Sequence, residues 1–220
     1  MKKIIISRNI YFFKSRIKKK NYIFLKKKKD LNLKFLNKKK PDIIFFPHWN
    51  YLVKKEIFEN YLCIGFHTSP LPYGRGGSPV QNMIVRNFKK TQLCSLKLTK
   101  KIDSGPIYMK KEISLKGTGE KIFLNIYRSI LDMIFQIEKK IPIAKNQTGK
   151  AVYFKRRKPT DGNLLISKNT NEIFNLIRML DINFLNYPKA FIENKKIIFK
   201  FKNARLKKNK VVAEVDILRK

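Results

Sequence analysis

The chain has 220 residues, with 51 Lys and Arg against 15 Asp and Glu, and so a formal charge of +36 that excludes an acidic or collagen-like protein. Its 43% apolar and 12% aromatic residues contain no uninterrupted run near the ~18 needed to span a bilayer, which points to a soluble chain with a buried core and no membrane partner. The length suits one domain with a small appendix.

Up to about residue 115, short β-rich runs alternate with helix-like runs, the pattern of a parallel sheet with helices on its faces. Strands are predicted at Lys3–Ser7, Tyr22–Leu25, Asp42–Pro47, Cys63–His67 and Leu93–Thr99, and helices at Asp30–Lys40, Val53–Tyr61 and Ser78–Phe88. The last opens on Ser78 and Pro79, a pair suited to a helix start. From 119 to 141, Ile122, Ile126, Ile130, Ile134, Ile137 and Ile141 recur at three- or four-residue spacing, which predicts a long amphipathic helix packed on the sheet. After Pro142 the texture turns polar and basic through KNQTGKAVYFKRRKPTDGN, and a helix is predicted at Glu172–Leu180. Three strands, AFIE, KIIFKF and KVVAEVDIL, close the sequence, joined by the turns ENKK and LKKNK. The change of texture sets a domain boundary near residue 150, dividing 1–150 from a helix-plus-strand unit at 151–220.

Lys outnumbers Arg by 41 to 10, and Ile (29) and Asn (19) are abundant while Ala (5) is scarce. Lys, Ile and Asn have A/T-rich codons, so base composition explains the skew as a background of solvated lysines. A face selected to grip phosphate draws instead on the bidentate fork of Arg, gathered on one side. On either reading anions are attracted. Cys63 and Cys94 sit in apolar, strand-like segments and cannot form a disulfide framework, which fits a reducing cytoplasm. The short apolar core before Arg8 and Asn9 is too brief for a signal peptide.

The two histidines, His48 and His67, lie 19 residues apart, each at the predicted C-terminal end of a strand. That edge is where open α/β sheets bind ligands. After His67 comes TSPLPYGRGGSPVQ, whose three prolines and three glycines read as a rigid loop, neither helix nor strand, that lets backbone N–H groups approach a ligand. Asp103, in KKIDSGPIY, follows 36 residues after His67. Singly these are ordinary features, since a His after a strand is often structural and an Asp before Ser-Gly is common turn chemistry. Together at one sheet edge they form an acid/base pair beside a binding wall. A zinc site built from His48, Cys63, His67 and Asp103 has suitable residue types but lacks paired ligand spacing, and no metal is expected.

At these residues the sequence resembles the formyltransferase family, which includes methionyl-tRNA, glycinamide ribonucleotide and sugar N-formyltransferases. The family signature is Asn-x-His, a loop containing Ser-Leu-Leu-Pro and Arg-Gly, and an Asp before Gly about three dozen residues on. Here it reads GFHTSPLPYGRGGSPVQ and then IDSGPIY, with Ser69, Leu71, Pro72, Arg75, Gly76, Pro79 and Gln81 where the loop pattern wants them. The match runs from about residue 40 to 115, and LIRMLDINFLNYPKAFI also looks like the stretch that follows the catalytic domain in several members. The resemblance implies an α/β fold: a Rossmann-like, mostly parallel sheet of the formyltransferase type, with a shortened N-terminal half and a small C-terminal β-rich appendix. The sequence departs from the signature at Gly65, where the family carries a catalytic Asn. Asn50, in FFPHWNYL, is the nearest substitute, with Ser69 and Asn82 behind it.

The implied reaction moves a formyl group from 10-formyltetrahydrofolate to a primary amine. In it His67 would stabilise the oxyanion as imidazolium and carry the proton, Asp103 would hold the ring charged, and Asn50 would complete the catalytic set. Phe46, Pro47, Trp49 and Leu52 would flank the pterin of the folate, with the backbone near Ile102 and Asp103 at its edge. Ser69, Arg75, Gly76, Gly77 and Gln81 would form the substrate loop. With only about 70 residues past the boundary to hold an acceptor stem by its phosphates, the expected acceptor is a small amine on a nucleotide-linked sugar. A methionyl-tRNA enzyme is the alternative within this chemistry, and a non-catalytic basic protein of the same fold is the alternative outside it.

Overall fold

The computed structural model describes residues 1–220. In chain order its elements are β1 (Lys3–Ile6), α1 (Ile10–Lys14), β2 (Tyr22–Leu25), α2 (Leu33–Lys39), β3 (Ile43–Phe46), α3 (Lys55–Phe58), β4 (Cys63–His67), β5 (Tyr73–Gly76), α4 (Pro79–Val85), β6 (Lys90–Lys97), β7 (Ile107–Ser114), α5 (Gly119–Lys139), β8 (Val152–Phe154), α6 (Thr170–Leu180), β9 (Ala190–Glu193), β10 (Ile197–Lys207) and β11 (Lys210–Arg219). KIII in β1 and IIFF in β3 are buried at every position, the continuous apolar pattern of parallel strands covered on both faces. They sit inside a six-stranded sheet of order β2-β1-β3-β4-β6-β7. β1 is parallel to β2 and β3, β3 is parallel to β4, and β4 is antiparallel to β6. The fold is thus the expected α/β, mostly parallel sheet, followed by a three-stranded antiparallel sheet of order β11-β10-β9.

The chain resolves into two compact units. The first comprises Met1–Gly76, Gln92–Glu112 and Ile126–Tyr153, and the second Gly77–Thr91, Ile113–Asn125 and Phe154–Lys220. In the first, Ile4, Ile6, Leu36, Ile44, Phe46 and Ile57 form a core cluster. Burying each such side chain stabilises by roughly 1.5–3 kcal/mol. Ile126, Ile130, Ile134 and Ile137 of α5 are at most 3% exposed, which realises the predicted stripe, whereas Ile141 lies past the helix end and is exposed. In the second, α6 packs on β10, and its first turn is capped by Asn169, whose side chain accepts the Glu172 N–H at 3.0 Å.

Three expectations change. The Pro/Gly loop is not wholly irregular: β5 pairs with β8, and the Val152 N–H donates to the Pro72 carbonyl at 3.2 Å. Gly74 and Gly76 supply φ of +81° and +98° there, which a side chain would resist. The helix predicted at 53–61 shrinks to the single turn α3, and α1 and β7 are additional. No helix is long and apolar enough to cross a membrane.

Candidate active site

β3 and β4 are adjacent and parallel, so their C-terminal ends open on one sheet edge. His67, the last residue of β4, is 7% exposed. Its Nδ1 lies 3.4 Å from Asp103 Oδ2, and its Nε2 lies 2.8 Å from the Gly74 carbonyl oxygen. Both ring nitrogens thus face oxygen atoms. Asp103 sits at φ +49°, a left-handed conformation uncommon for residues with a Cβ. Its Oδ2 also accepts the Gly76 N–H at 2.9 Å. One carboxylate oxygen therefore serves both the imidazole and the strand that carries Gly74.

Gln147 braces this turn from 44 residues away. Its Nε2 donates to the carbonyls of Asp103 (2.8 Å) and Gly105 (2.9 Å). Its Oε1 accepts from Arg75 Nε (3.1 Å) and Nη2 (2.7 Å). Arg75 also donates to the Tyr153 hydroxyl at 3.3 Å, so its guanidinium is a strut of the loop. Gly105 lets the turn lie against β6, because a Cβ there would lie 1.8 Å from the Lys97 carbonyl oxygen. Nothing local in the sequence marks Gln147, which reads only as part of a polar loop.

The turn after β3 holds the residues assigned to the pterin. Phe46 is 3% exposed and belongs to the core, and Pro47 is buried, whereas Leu52 is 73% exposed and Ile102 is 50% exposed. His48, at φ +48°, hydrogen-bonds the Tyr127 hydroxyl through Nδ1. Trp49 packs edge-on against Tyr51 with centroids 5.0 Å apart. Trp49 Nε1 and Asn50 Oδ1 are both buried without a hydrogen-bond partner. Since the large majority of buried polar atoms are paired, an unmatched donor and acceptor on consecutive residues leave this turn able to bond a ligand.

A Cβ at Gly65 would lie 2.7 Å from Leu98 Cδ2, the end of a flexible side chain that would have to shift to admit an Asn. Ser69 is fully buried and its Oγ has no partner. Asn82, suggested as a reserve oxyanion donor, lies in the second unit and is consumed there. Its Nδ2 donates to the Gly77 and Lys155 carbonyls (3.0 and 2.9 Å), and its Oδ1 accepts from Arg86 at 3.0 Å. Gly77 and Gln81 belong to the same unit, Gly77 donating its N–H to Phe154 at 2.9 Å and Gln81 being buried on α4. No group of three or more His, Cys, Asp or Glu side chains is gathered anywhere. Burial pushes the thiol of Cys63 up to about 12 and that of Cys94 up to about 11. A cavity of about 600 Å³ in the first unit, lined by Tyr108, Lys110, Ile143, Lys145 and Gln147 among others, has the size of a small-molecule site.

Residues 159–218 match the family model described as the C-terminal domain of methionyl-tRNA formyltransferase. A solved methionyl-tRNA formyltransferase from Clostridium thermocellum is similar at a TM-score of 0.91 and 37% identity, covering 100% of each chain. The chain belongs to the formyltransferase family. The curated methionyl-tRNA formyltransferase of Thermodesulfovibrio yellowstonii is 32% identical over 135 residues, 58% of this chain and 44% of its own length. The chain spans about half the length of the curated relatives it matches. The formyltransferase PseJ from Anoxybacillus kamchatkensis, solved with a UDP-linked formamido sugar and tetrahydrofolate, shares the fold at a TM-score of 0.59 and 16% identity, covering 70% of this chain and 86% of that one. The stretch whose shortness points to a small acceptor is thus similar to the C-terminal domain of methionyl-tRNA formyltransferase, which favours the tRNA alternative over the sugar.

Proposed function

We propose that the chain transfers the formyl group of 10-formyltetrahydrofolate to the α-amine of methionine esterified to its tRNA. The observation that carries this is the His67–Asp103 pair at the end of β4, in a formyltransferase whose residues 159–218 are similar to the C-terminal domain of methionyl-tRNA members. The tetrahydrofolate named with PseJ supports a folate donor. So do the unmatched Trp49 Nε1 and Asn50 Oδ1, a donor and an acceptor suited to a pterin edge that carries both. Two free, buried thiols support a cytoplasmic setting.

In this reaction the amine nitrogen bonds to the formyl carbon, the bond from that carbon to folate N10 breaks, and the proton lost by the amine goes to N10. His67 takes that proton from the amine and, so protonated, faces the oxygen as negative charge develops before passing the proton to N10. To reach it, Nε2 must exchange the Gly74 carbonyl for the substrate, a small move for a strand with two positive-φ glycines. Asp103 holds the ring from Nδ1. Asn50 supplies the carboxamide that Gly65 cannot.

The test is label transfer from formyl-labelled 10-formyltetrahydrofolate to a panel of methionyl-tRNA, free methionine and UDP- or dTDP-linked amino sugars. Label is expected on tRNA-bound methionine. Label on an amino sugar alone overturns the acceptor, and label on no amine overturns the reaction.

A further inference from the structure

The second unit contains a cavity of about 190 Å³, and none of its lining residues belongs to the His67 site. Asn171, Asn175 and Arg178 line it from one face of α6, at the i, i+4, i+7 spacing that stacks side chains along a helix. Lys89, Lys116 and Phe174 stand beside them. Arg178 is only 8% exposed. Its Nε donates to Asn175 Oδ1 at 2.8 Å, and its Nη1 donates to the carbonyls of Leu115 (2.8 Å) and Gly117 (2.7 Å). No carboxylate pairs with it, and its Nη2 donates to no protein acceptor. Burial alone acts on its pKa, downward, with no acidic neighbour to oppose it.

A buried cation without a counter-ion is costly unless something supplies the missing charge. Here every charged residue in the lining is positive, and the remaining polar side chains are carboxamides. Small-molecule sites run to ~300–1,000 Å³, so this cavity suits one group and not a whole nucleotide. A tetrahedral oxyanion matches the donors, because a guanidinium edge and two ammonium groups are what phosphate oxygens accept from.

We propose that this cavity is a phosphate subsite, taking one backbone phosphodiester of an RNA acceptor through the Nη2 edge of Arg178 and the ammonium groups of Lys89 and Lys116. The oxyanion site stands on the geometry. Only the source of the phosphate rests on the proposed acceptor.

Arg178 also holds the 115–117 turn, so the main variant leaves it intact. Binding of unacylated tRNA by the full chain, without folate, is measured by fluorescence anisotropy across a salt series for Lys89→Gln/Lys116→Gln and for a control pair on α2, Lys38→Gln/Lys39→Gln. The pocket pair is expected to weaken binding at least fivefold and to lower the slope of log K against log salt by about 1, as for one lost phosphate contact, while the control changes little. Arg178→Lys, which keeps the charge and loses the fork, is expected to weaken binding with its melting transition retained. Inorganic phosphate is expected to compete with tRNA for the parent chain more strongly than for the pocket pair. Equal effects of both Lys pairs would overturn the subsite, leaving only background charge. Dependence of a UDP-linked amino sugar, but not tRNA, on Lys89 and Lys116 would overturn the RNA source. Because no turnover is read, a failure of formyl transfer and a failure of this proposal are separate results.

Discussion

His67 is gripped from two sides, by a carboxylate that sits on a positive-φ residue and by the carbonyl of a positive-φ glycine. The carboxylate's grip does not hold by local preference alone, because Asp at φ +49° is sparsely populated unless its surroundings fix it. Gln147 is the residue that fixes it, through the Asp103 and Gly105 carbonyls. Gln147→Leu is therefore expected to lower kcat by about tenfold or more, with a smaller effect on KM for the folate, and a melting transition close to the parent's. A variant with unchanged kcat would remove Gln147 from the account. The unmatched atoms of the neighbouring turn make a second expectation. Trp49 is the one tryptophan, and its fluorescence is expected to change on adding tetrahydrofolate and to respond less in Asn50→Ala. An unchanged emission spectrum at saturating folate would move the pterin elsewhere. His67 and Asp103 were legible in the sequence because they carry a motif at fixed spacing. Gln147 was not, because a contact across 44 residues leaves no periodic trace.

Among the elements, β1 and α5 meet at an ion pair. Glu138, in the last turns of α5, accepts from Lys3 (2.7 Å), Lys19 (2.7 Å) and the Tyr22 hydroxyl (3.1 Å). Burial alone would raise its pKa, but the bonds from Lys19, Lys3 and Tyr22 outweigh it and hold the carboxyl at about 2, below its ordinary 4.5. A depressed carboxyl contributes stability that is full above the unfolded value and is lost as pH falls through the folded one. The urea midpoint is thus expected to fall between pH 4.5 and about 2, and this component is expected to vanish in Glu138→Gln. That substitution strands Lys3, which is 2% exposed, and is expected to cost about 3–5 kcal/mol at pH 7. A pH-independent midpoint in the parent over that window would contradict the assignment. Helix α5 was plain in the sequence because its isoleucines repeat over several turns. β5 was not, since its pairing with β8 rests on glycine backbone freedom and not on side-chain alternation.

Over the whole molecule the charge is even: 29 basic against 8 acidic residues in the first unit and 22 against 7 in the second. Net charge alone therefore does not direct RNA to one part of the chain, in keeping with its reading as a compositional background. The fold class was legible because buried parallel strands write themselves as apolar runs. The acceptor is less legible, because counting residues past a boundary says nothing of what those residues resemble, and residues 159–218 are similar to the C-terminal domain of methionyl-tRNA formyltransferase. Whether the His67–Asp103 pair performs formyl transfer is tested by comparing turnover of 10-formyltetrahydrofolate with methionyl-tRNA in the parent chain, His67→Ala and Asp103→Asn. Both variants are expected to melt as the parent does and to lose at least about two orders of magnitude in kcat/KM, about 2.7 kcal/mol of transition-state stabilisation. Near-normal turnover by a folded His67→Ala variant would contradict the account.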